Sequence, residues 1–358
     1  MHRPARTLRR SVDHLGRCLC VLFAFITTLG VIFQQAYAQN GAQGEMAGAL
    51  AEPVSTSEWL LTKEVNEVNV LFVAARHGKP VGDLSQNDIS VRDDNKPPAA
   101  ILGFRTEREL PLRVAMAIDT SSSVTSRFRF EQAAASVFLR QAVNRNGDLG
   151  FVLGFSDHAT VTQDFVGDPD LLSQGVERLT LGGGTALYDA VRTACQKLHR
   201  PEQDVVARVL VVLSDGQNNA GQISLDGAID AAQEAEVTIY AISTNYATTS
   251  FPQAAEEGNS NLRKLAEQTG GRVLFPVSPK DVAKAFVKIE GELRSRYAVS
   301  YKPADFTPDG RYRKIKIEAR KTGEKLEIRA RKGYYARAAS WLSFDSPEAD
   351  RNVTKSQR

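Results

Sequence analysis

From Leu112 to Arg296 the chain alternates short apolar runs with amphipathic segments of helix length, and this alternation constrains its fold more than any other feature. The runs LRVAMAI, LGFVLGF, ATVTQDF, RVLVVLS, VTIYAIS and RVLFPV read as strands. The segments RFRFEQAAASVFLRQAV, LYDAVRTACQKLH, LDGAIDAAQEAE, NLRKLAEQTG and PKDVAKAFVKIEGELRSR read as helices. A run as continuously apolar as VLVVL has no face to give to water, so it is buried on both sides. Strands alternating with helices build crossovers, which impose a parallel sheet covered on both faces. The expected class is therefore α/β, with a doubly wound, mainly parallel sheet. Only SDH separates LGFVLGF from ATVTQDF, too few residues for a crossover, so that pair is expected as an antiparallel hairpin at one edge.

On either side the period changes to two. VNEVNVLFVAAR, DISVRD and AAILGFR precede the core, with turn-rich HGKPVGD and DDNKPP between them. After it, YRKIKIEARK puts Ile315, Ile317 and Ala319 on one face and Lys314, Lys316, Glu318 and Arg320 on the other. KLEIRAR repeats the pattern with Leu326, Ile328 and Ala330 inward. Each flank is too small to stand alone. The expectation is one accessory antiparallel β domain, with residues 60–110 and 291–337 pairing across an α/β domain at 111–290. Residues 291–337 carry 14 Lys/Arg and 6 Asp/Glu, which reads as a solvated sheet face in preference to a basic binding surface.

The N-terminus has the parts of a secretory signal: a basic start, the apolar run CLCVLFAFITTLGVIF, and small Ala36 and Ala38 at an A-x-A site that leaves Gln39 first. Residues 1–38 are expected to be a signal peptide. Membrane attachment follows only if that segment is retained as an anchor, since the apolar run approaches spanning length. Residues 39–59, small and polar, are expected as a flexible linker, and 338–358 as a disordered tail. The signal also accounts for the charge. Arg3, Arg6, Arg9, Arg10 and Arg17 outweigh Asp13 by four, so of the chain's +3 the remainder carries −1. That near-neutral remainder, with Tyr312, Tyr334 and Tyr335 forming no evident stacking platform, argues against nucleic-acid binding. Cys195 is the one cysteine after the signal, so an internal disulfide is impossible, and its place in VRTACQKL reads as a buried bystander.

In an open α/β sheet, ligands collect at the carboxyl ends of the strands, near the switch in strand order. Three motifs fall there. AIDTSSSV ends a strand at Asp119 and sets Asp119, Ser121 and Ser123 in a D-x-S-x-S pattern; GGGTALYD supplies Thr185; VVLSDGQNN ends another strand at Asp215. Singly each has an ordinary reading: Ser121 to Ser123 and Thr185 as helix caps, Asp189 as a partner of the helix dipole, Asp215-Gly216 as a turn. Together they make two carboxylates and three hydroxyls without His or Cys. Such hard oxygen donors suit Mg²⁺ at about 2.1 Å, with Mn²⁺ or Ca²⁺ as alternatives.

These motifs resemble the metal-ion-dependent adhesion site (MIDAS) of the von Willebrand factor type A (VWA) domain, a Rossmann-like fold shared with integrin inserted domains. The resemblance covers residues 112–290. It implies that Asp119, Ser121 and Ser123 lie near the ion, with Thr185 or Asp215 bound directly or through water, and that a protein partner's carboxylate fills the open position. Ser122 departs from the family's usual Gly without removing a ligand. The flanks VNVLFVAARHGKPVGDLSQNDISVRDDNKPPAAILGF and ELRSRYAVSYKP…GRYRKIKIEAR…IRARKGYYA resemble the VWFA-related acidobacterial-type domains of the bacterial envelope, extending the likeness to residues 63–337.

The expected function is thus a non-enzymatic, divalent-metal-dependent protein-binding module of adhesion type, placed outside the cytoplasm in the periplasm, envelope or medium. One alternative is an envelope scaffold that docks through its β domain and keeps the metal for stability. A Ser/His hydrolase using His158 is the other, but GFSDH is not G-x-S-x-G and no HExxH is present.

Overall fold

The computed structural model describes residues 67–106, 110–202, 205–246 and 252–336. The expected signal peptide, linker and C-terminal tail lie outside the described residues. Among those residues no helix is long and apolar enough to cross a membrane.

Four strands come first: β1 (Val68–Arg76), β2 (Lys79–Pro80), β3 (Ile89–Asp93) and β4 (Ala100–Thr106). The α/β body follows. Its strands are β5 (Leu112–Asp119), β6 (Leu149–Phe155), β7 (Ala159–Val166), β8 (Ala207–Ser214), β9 (Thr238–Ser243) and β10 (Val273–Leu274). Its helices are α1 (Phe128–Ala142), α2 (Pro169–Glu177), α3 (Leu187–Leu198), α4 (Leu225–Glu234), α5 (Pro252–Gln268) and α6 (Val282–Leu293). The chain closes with β11 (Arg296–Lys302), β12 (Tyr312–Lys321), β13 (Glu324–Lys325), β14 (Glu327–Ala330) and β15 (Gly333–Tyr335).

The body is one six-stranded sheet in the order β10-β9-β8-β5-β6-β7. All neighbours are parallel except β6 and β7, the expected edge hairpin. The run RVLFPV contributes only Val273 and Leu274. Each central strand divides its side chains between two cores. Val114, Met116 and Ile118 of β5, with Val209, Val211 and Leu213 of β8, pack under α1, α2 and α6. Ala115 and Ala117, with Leu210 and Val212, pack under α3, α4 and α5. This is why the runs read as apolar at every position. On the first face Phe138 of α1 stacks on Phe286 of α6 with ring centroids 4.8 Å apart. Burying each such ring contributes about 1.5–3 kcal/mol. Cys195 is fully buried in the second core, and burial pushes its thiol pKa far up.

The flanking segments make two antiparallel sheets. One runs β14-β1-β11-β4, and in the other β12 pairs with β3, β13 and β15. Tyr297 of β11 pairs with Phe72 on one side and Thr106 on the other, so the strand after the body lies beside the strand before it. Between the sheets lie Val70, Phe72, Tyr297, Val299, Ile315, Ile317 and Ala319. Asp93 is buried there too, its Oδ2 accepting bonds from the Tyr301 and Tyr334 hydroxyls at 2.8 and 2.9 Å. The other face of the β1–β11 pair turns to the body, where Ala298 joins the first core and Leu71 packs against it.

The flank's positive charge is largely matched nearby. Arg313 pairs with Asp309, Lys321 with Asp88, Arg329 with Glu292 and Arg331 with Glu236.

Candidate metal centre

The strand order reverses at β5. The chain moves outward from it to β6 and β7, then returns to β8 on its other side. Asp119 is the last residue of β5, and Asp215 directly follows β8, its neighbour. Topology therefore places the two carboxylates side by side at the switch point, where open α/β sheets hold ligands.

Hydrogen bonds then draw four of the five expected residues into one cluster. Asp119 is fully buried; its Oδ1 accepts the Ser121 amide at 2.9 Å and its Oδ2 the Ser214 hydroxyl at 2.7 Å. The hydroxyls of Ser121 and Ser123 lie 3.0 Å apart, and Ser123 donates to Asp215 Oδ2 at 3.0 Å. Ser123 is exposed, so the cluster opens to solvent on that side.

The ordinary cap reading fails for the serines. Ser122–Val124 is a separate 3-10 turn, α1 starts only at Phe128, and neither Ser121 nor Arg127, at their N-cap positions, makes a side-chain cap bond. The Ser121 and Ser123 hydroxyls are turned toward each other and toward Asp215.

Thr185 is buried and stays outside this hydrogen-bonded cluster, its backbone tied instead to the loop that follows Asp215. Its amide donates to Asn219 Oδ1 at 2.8 Å, and its carbonyl accepts the Asn219 and Ala220 amides. It lies two residues before α3, whose N-cap position is Ala186, so it is not a helix cap. Asp189 holds the loop after Asp215 in place of a purely dipolar role, its Oδ2 accepting the Gln222 and Ile223 amides at 2.8 and 3.2 Å. Ser122 ties the D-x-S-x-S loop to the glycine loop, its amide and its hydroxyl both donating to the Gly183 carbonyl.

Asp215 is fixed from behind. Gly216 takes φ +80°, and a Cβ there would stand 2.1 Å from the Gly258 carbonyl of α5. Helix and turn thus meet backbone to backbone, a contact only glycine permits. Asn245 Nδ2 donates to the Asp215 carbonyl at 2.7 Å.

Sequence reasoning missed three participants. Ser214 supplies a second donor to Asp119. Arg127 sends Nη1 to the Ser123 carbonyl at 3.1 Å and Nη2 to Thr244 Oγ1 at 3.1 Å, with Nη2 3.9 Å from Asp215 Oδ2. Glu131, fully buried on α1, has Oε1 3.2 Å from Arg127 Nε and accepts the Tyr246 hydroxyl at 3.1 Å. The signal for this pair was an Arg four residues before a Glu on a helix's inward face. His158 is exposed in the turn between β6 and β7, where its carbonyl closes the hairpin by accepting the Ser156 amide.

Burial, with the Asp215 charge opposite, pushes Asp119 up to about 6 despite its bonds from Ser121 and Ser214. Burial likewise pushes Glu131 up to about 7, against the pull of Arg127. Among the described residues no group of three or more His, Cys, Asp or Glu is arranged around a metal position. The donor set is instead two carboxylates with hydroxyls, all hard oxygens, and it fits a small hard cation.

Residues 114–288 match the sequence profile of the von Willebrand factor type A domain. No curated protein matches the chain. Solved structures similar to it include an aerotolerance-related membrane protein from Bacteroides fragilis, 19% identical over 51% of this chain and 98% of that one, with a TM-score of 0.38. A von Willebrand factor type A protein from Catenulispora acidiphila is 13% identical over 74% of this chain and 75% of its own, at 0.44. The vWF domain of the type V pili tip protein Mfa5 from Porphyromonas gingivalis is 17% identical over 51% and 94%, at 0.40.

Proposed function

Residues 114–288 are a von Willebrand factor type A domain, and from that premise we propose that the chain is a non-enzymatic protein-binding module working through a divalent ion. Asp119, Ser121 and Ser123 hold the ion, with Thr185 and Asp215 beside them, and Mg²⁺ is the ion the donor set suits best. When bound, the ion supplies a Lewis-acidic position that a partner's carboxylate can occupy. The protein's own part is to fix the donors and leave one side open. Ser214 and the Ser121 amide orient Asp119, Asn245 and Gly258 hold the Asp215 turn, and exposed Ser123 marks the approach.

The observation that carries this reading is the continuous run of hydrogen bonds from Asp119 and Ser121 through Ser123 to Asp215, with no serine hydroxyl spent on a helix cap. The residues that bring the pieces together come from two neighbouring strand ends and a separate loop, which an accidental cluster of caps would not require. The N-terminal sequence supports a place outside the cytoplasm for this activity, and the β flanks support membership of the envelope-associated subgroup.

The test is thermal unfolding of the full chain in EDTA and in saturating Mg²⁺, beside Asp119→Ala. At one hundred times the dissociation constant the ion adds about 2.7 kcal/mol, a rise in Tm of a few degrees. The rise is expected in the wild type and not in the variant. An equal rise in both would put the ion elsewhere and sink the proposal.

A further inference from the structure

Resting on the reading above, we propose that Arg127 is a built-in competitor of the ion: a tethered cation that holds Asp215 in the ion-free protein and sets how tightly the site takes a divalent ion. The geometry is specific to a residue the motif does not contain. Arg127 stands four positions beyond Ser123, just before α1, and folds back so that its guanidinium lies against the cluster.

Each nitrogen of that guanidinium has a polar neighbour, two by hydrogen bonds and Nε by an ion-pair contact alone. Nη1 binds the Ser123 carbonyl, Nη2 binds Thr244 Oγ1, and Nε faces Glu131 at 3.2 Å. The group also lies over the Tyr246 ring, 5.7 Å from its centroid. Glu131 is itself held by the Tyr246 hydroxyl, so a fully buried carboxylate anchors the arginine from behind. What remains is the approach of Nη2 to Asp215 Oδ2, the same oxygen that accepts Ser123. Asp215 is thus shared between a hydroxyl of the cluster and a fixed positive charge.

Two consequences follow from Coulomb's law. A divalent ion seated among Asp119, Ser121 and Ser123 shares the negative charge of Asp215 with Arg127 and is repelled by the guanidinium. Its affinity is therefore lower than the two carboxylates alone would give. The arginine also stands beside Asp215 when no ion is present, so the site does not have to assemble as the ion arrives. Arg127 is a positioning residue that trades affinity for readiness.

This assigns a sign that structural damage cannot imitate, because damage weakens binding. In titrations of Mg²⁺ into the full chain, read by isothermal calorimetry and by thermal shift, Arg127→Gln is expected to bind about tenfold more tightly than the wild type, the order of effect of removing one charge beside a divalent ion at a solvent-like dielectric. Arg127→Lys, which retains the charge, is expected to stay within about threefold of the wild type. Arg127→Met keeps an aliphatic stem against Tyr246 and is read in parallel, so that one poorly folding variant does not decide the matter. Unchanged or weaker binding in the neutral variants, with the wild-type signal still abolished by Asp119→Ala, would overturn the role of Arg127 and leave the metal site standing. A wild type that binds no ion at millimolar Mg²⁺ while Arg127→Gln does would support the competitor role outright. Binding by none of these proteins would remove the metal site and this inference together.

Discussion

At the scale of single residues, the centre depends on one buried acid. Burial pushes the Asp119 carboxyl up to about 6 in the fold, against about 4 in an unfolded chain. Below pH ~4 both states hold the proton and the group contributes nothing. Between ~4 and ~6 the folded state binds more protons than the unfolded one, so stability falls as pH rises through that window. On the proposed reading an ion displaces that proton, which would make its binding pH-dependent. The Mg²⁺-induced rise in Tm is therefore expected to be clearly smaller at pH 5 than at pH 7.5. Melts at both values check this, and an equal rise would mean that Asp119 is already ionised without the ion. D-x-S-x-S and the Asp-Gly turn were legible in the sequence because they are local patterns at strand ends; Thr185, expected at a strand end too, lies instead on the loop from α2 to α3. Arg127 and Glu131 were not legible as site residues, since an i,i+4 pair on a helix usually faces solvent and only the packing of α1 turns it inward.

At the scale of elements, the last helix of the body matters most. Here its C-terminal turn is held from several sides. Glu292, almost fully buried, lies 2.9 Å from Arg272 Nε beside β10 and 2.8 Å from Arg329 Nη2 on β14. Arg294 Nη2 binds the Ala142 carbonyl and Asn144 Oδ1 past the end of α1. β11 begins at Arg296, leaving no slack to absorb a one-turn shift. Removing one partner of a buried ion pair costs about 3–5 kcal/mol, because the other charge is left uncompensated. Glu292→Gln is expected to lower unfolding free energy by about that amount in urea titrations. Amide exchange over residues 282–293 is expected to be the same with and without Mg²⁺; faster exchange with the ion would show that the helix is released. The helices and strands themselves were readable from period alone. β10 was overestimated because apolar character in RVLFPV extends past the two residues that pair with β9.

At the scale of the whole molecule, the sequence carried the pairing of the flanks only as an inference from their size, since nothing local says which distant strand a short strand will meet. The contacts that join them are long-range: the Leu84 amide donates to the Tyr297 hydroxyl across 213 residues. Closing so large an unstructured loop is entropically costly, and a folded body that brings its own ends together removes most of that cost. The body should therefore form first. In refolding followed by pulsed hydrogen exchange, amides of β5 and β8 are expected to gain protection before those of β1 and β11; the reverse order would mean that the flank sheet nucleates without the body.

The same arrangement bears on how a load would pass through the protein. Tension applied at the candidate site has two covalent routes out of the body, one into β4 and one through α6 into β11. These strands are hydrogen-bonded neighbours that meet at Thr106 and Tyr297. Force is thus delivered to a single place on the flank sheet, through two anchors in parallel. A body fastened this way behaves as a hook with a doubled shank, in which neither connection alone has to carry the pull.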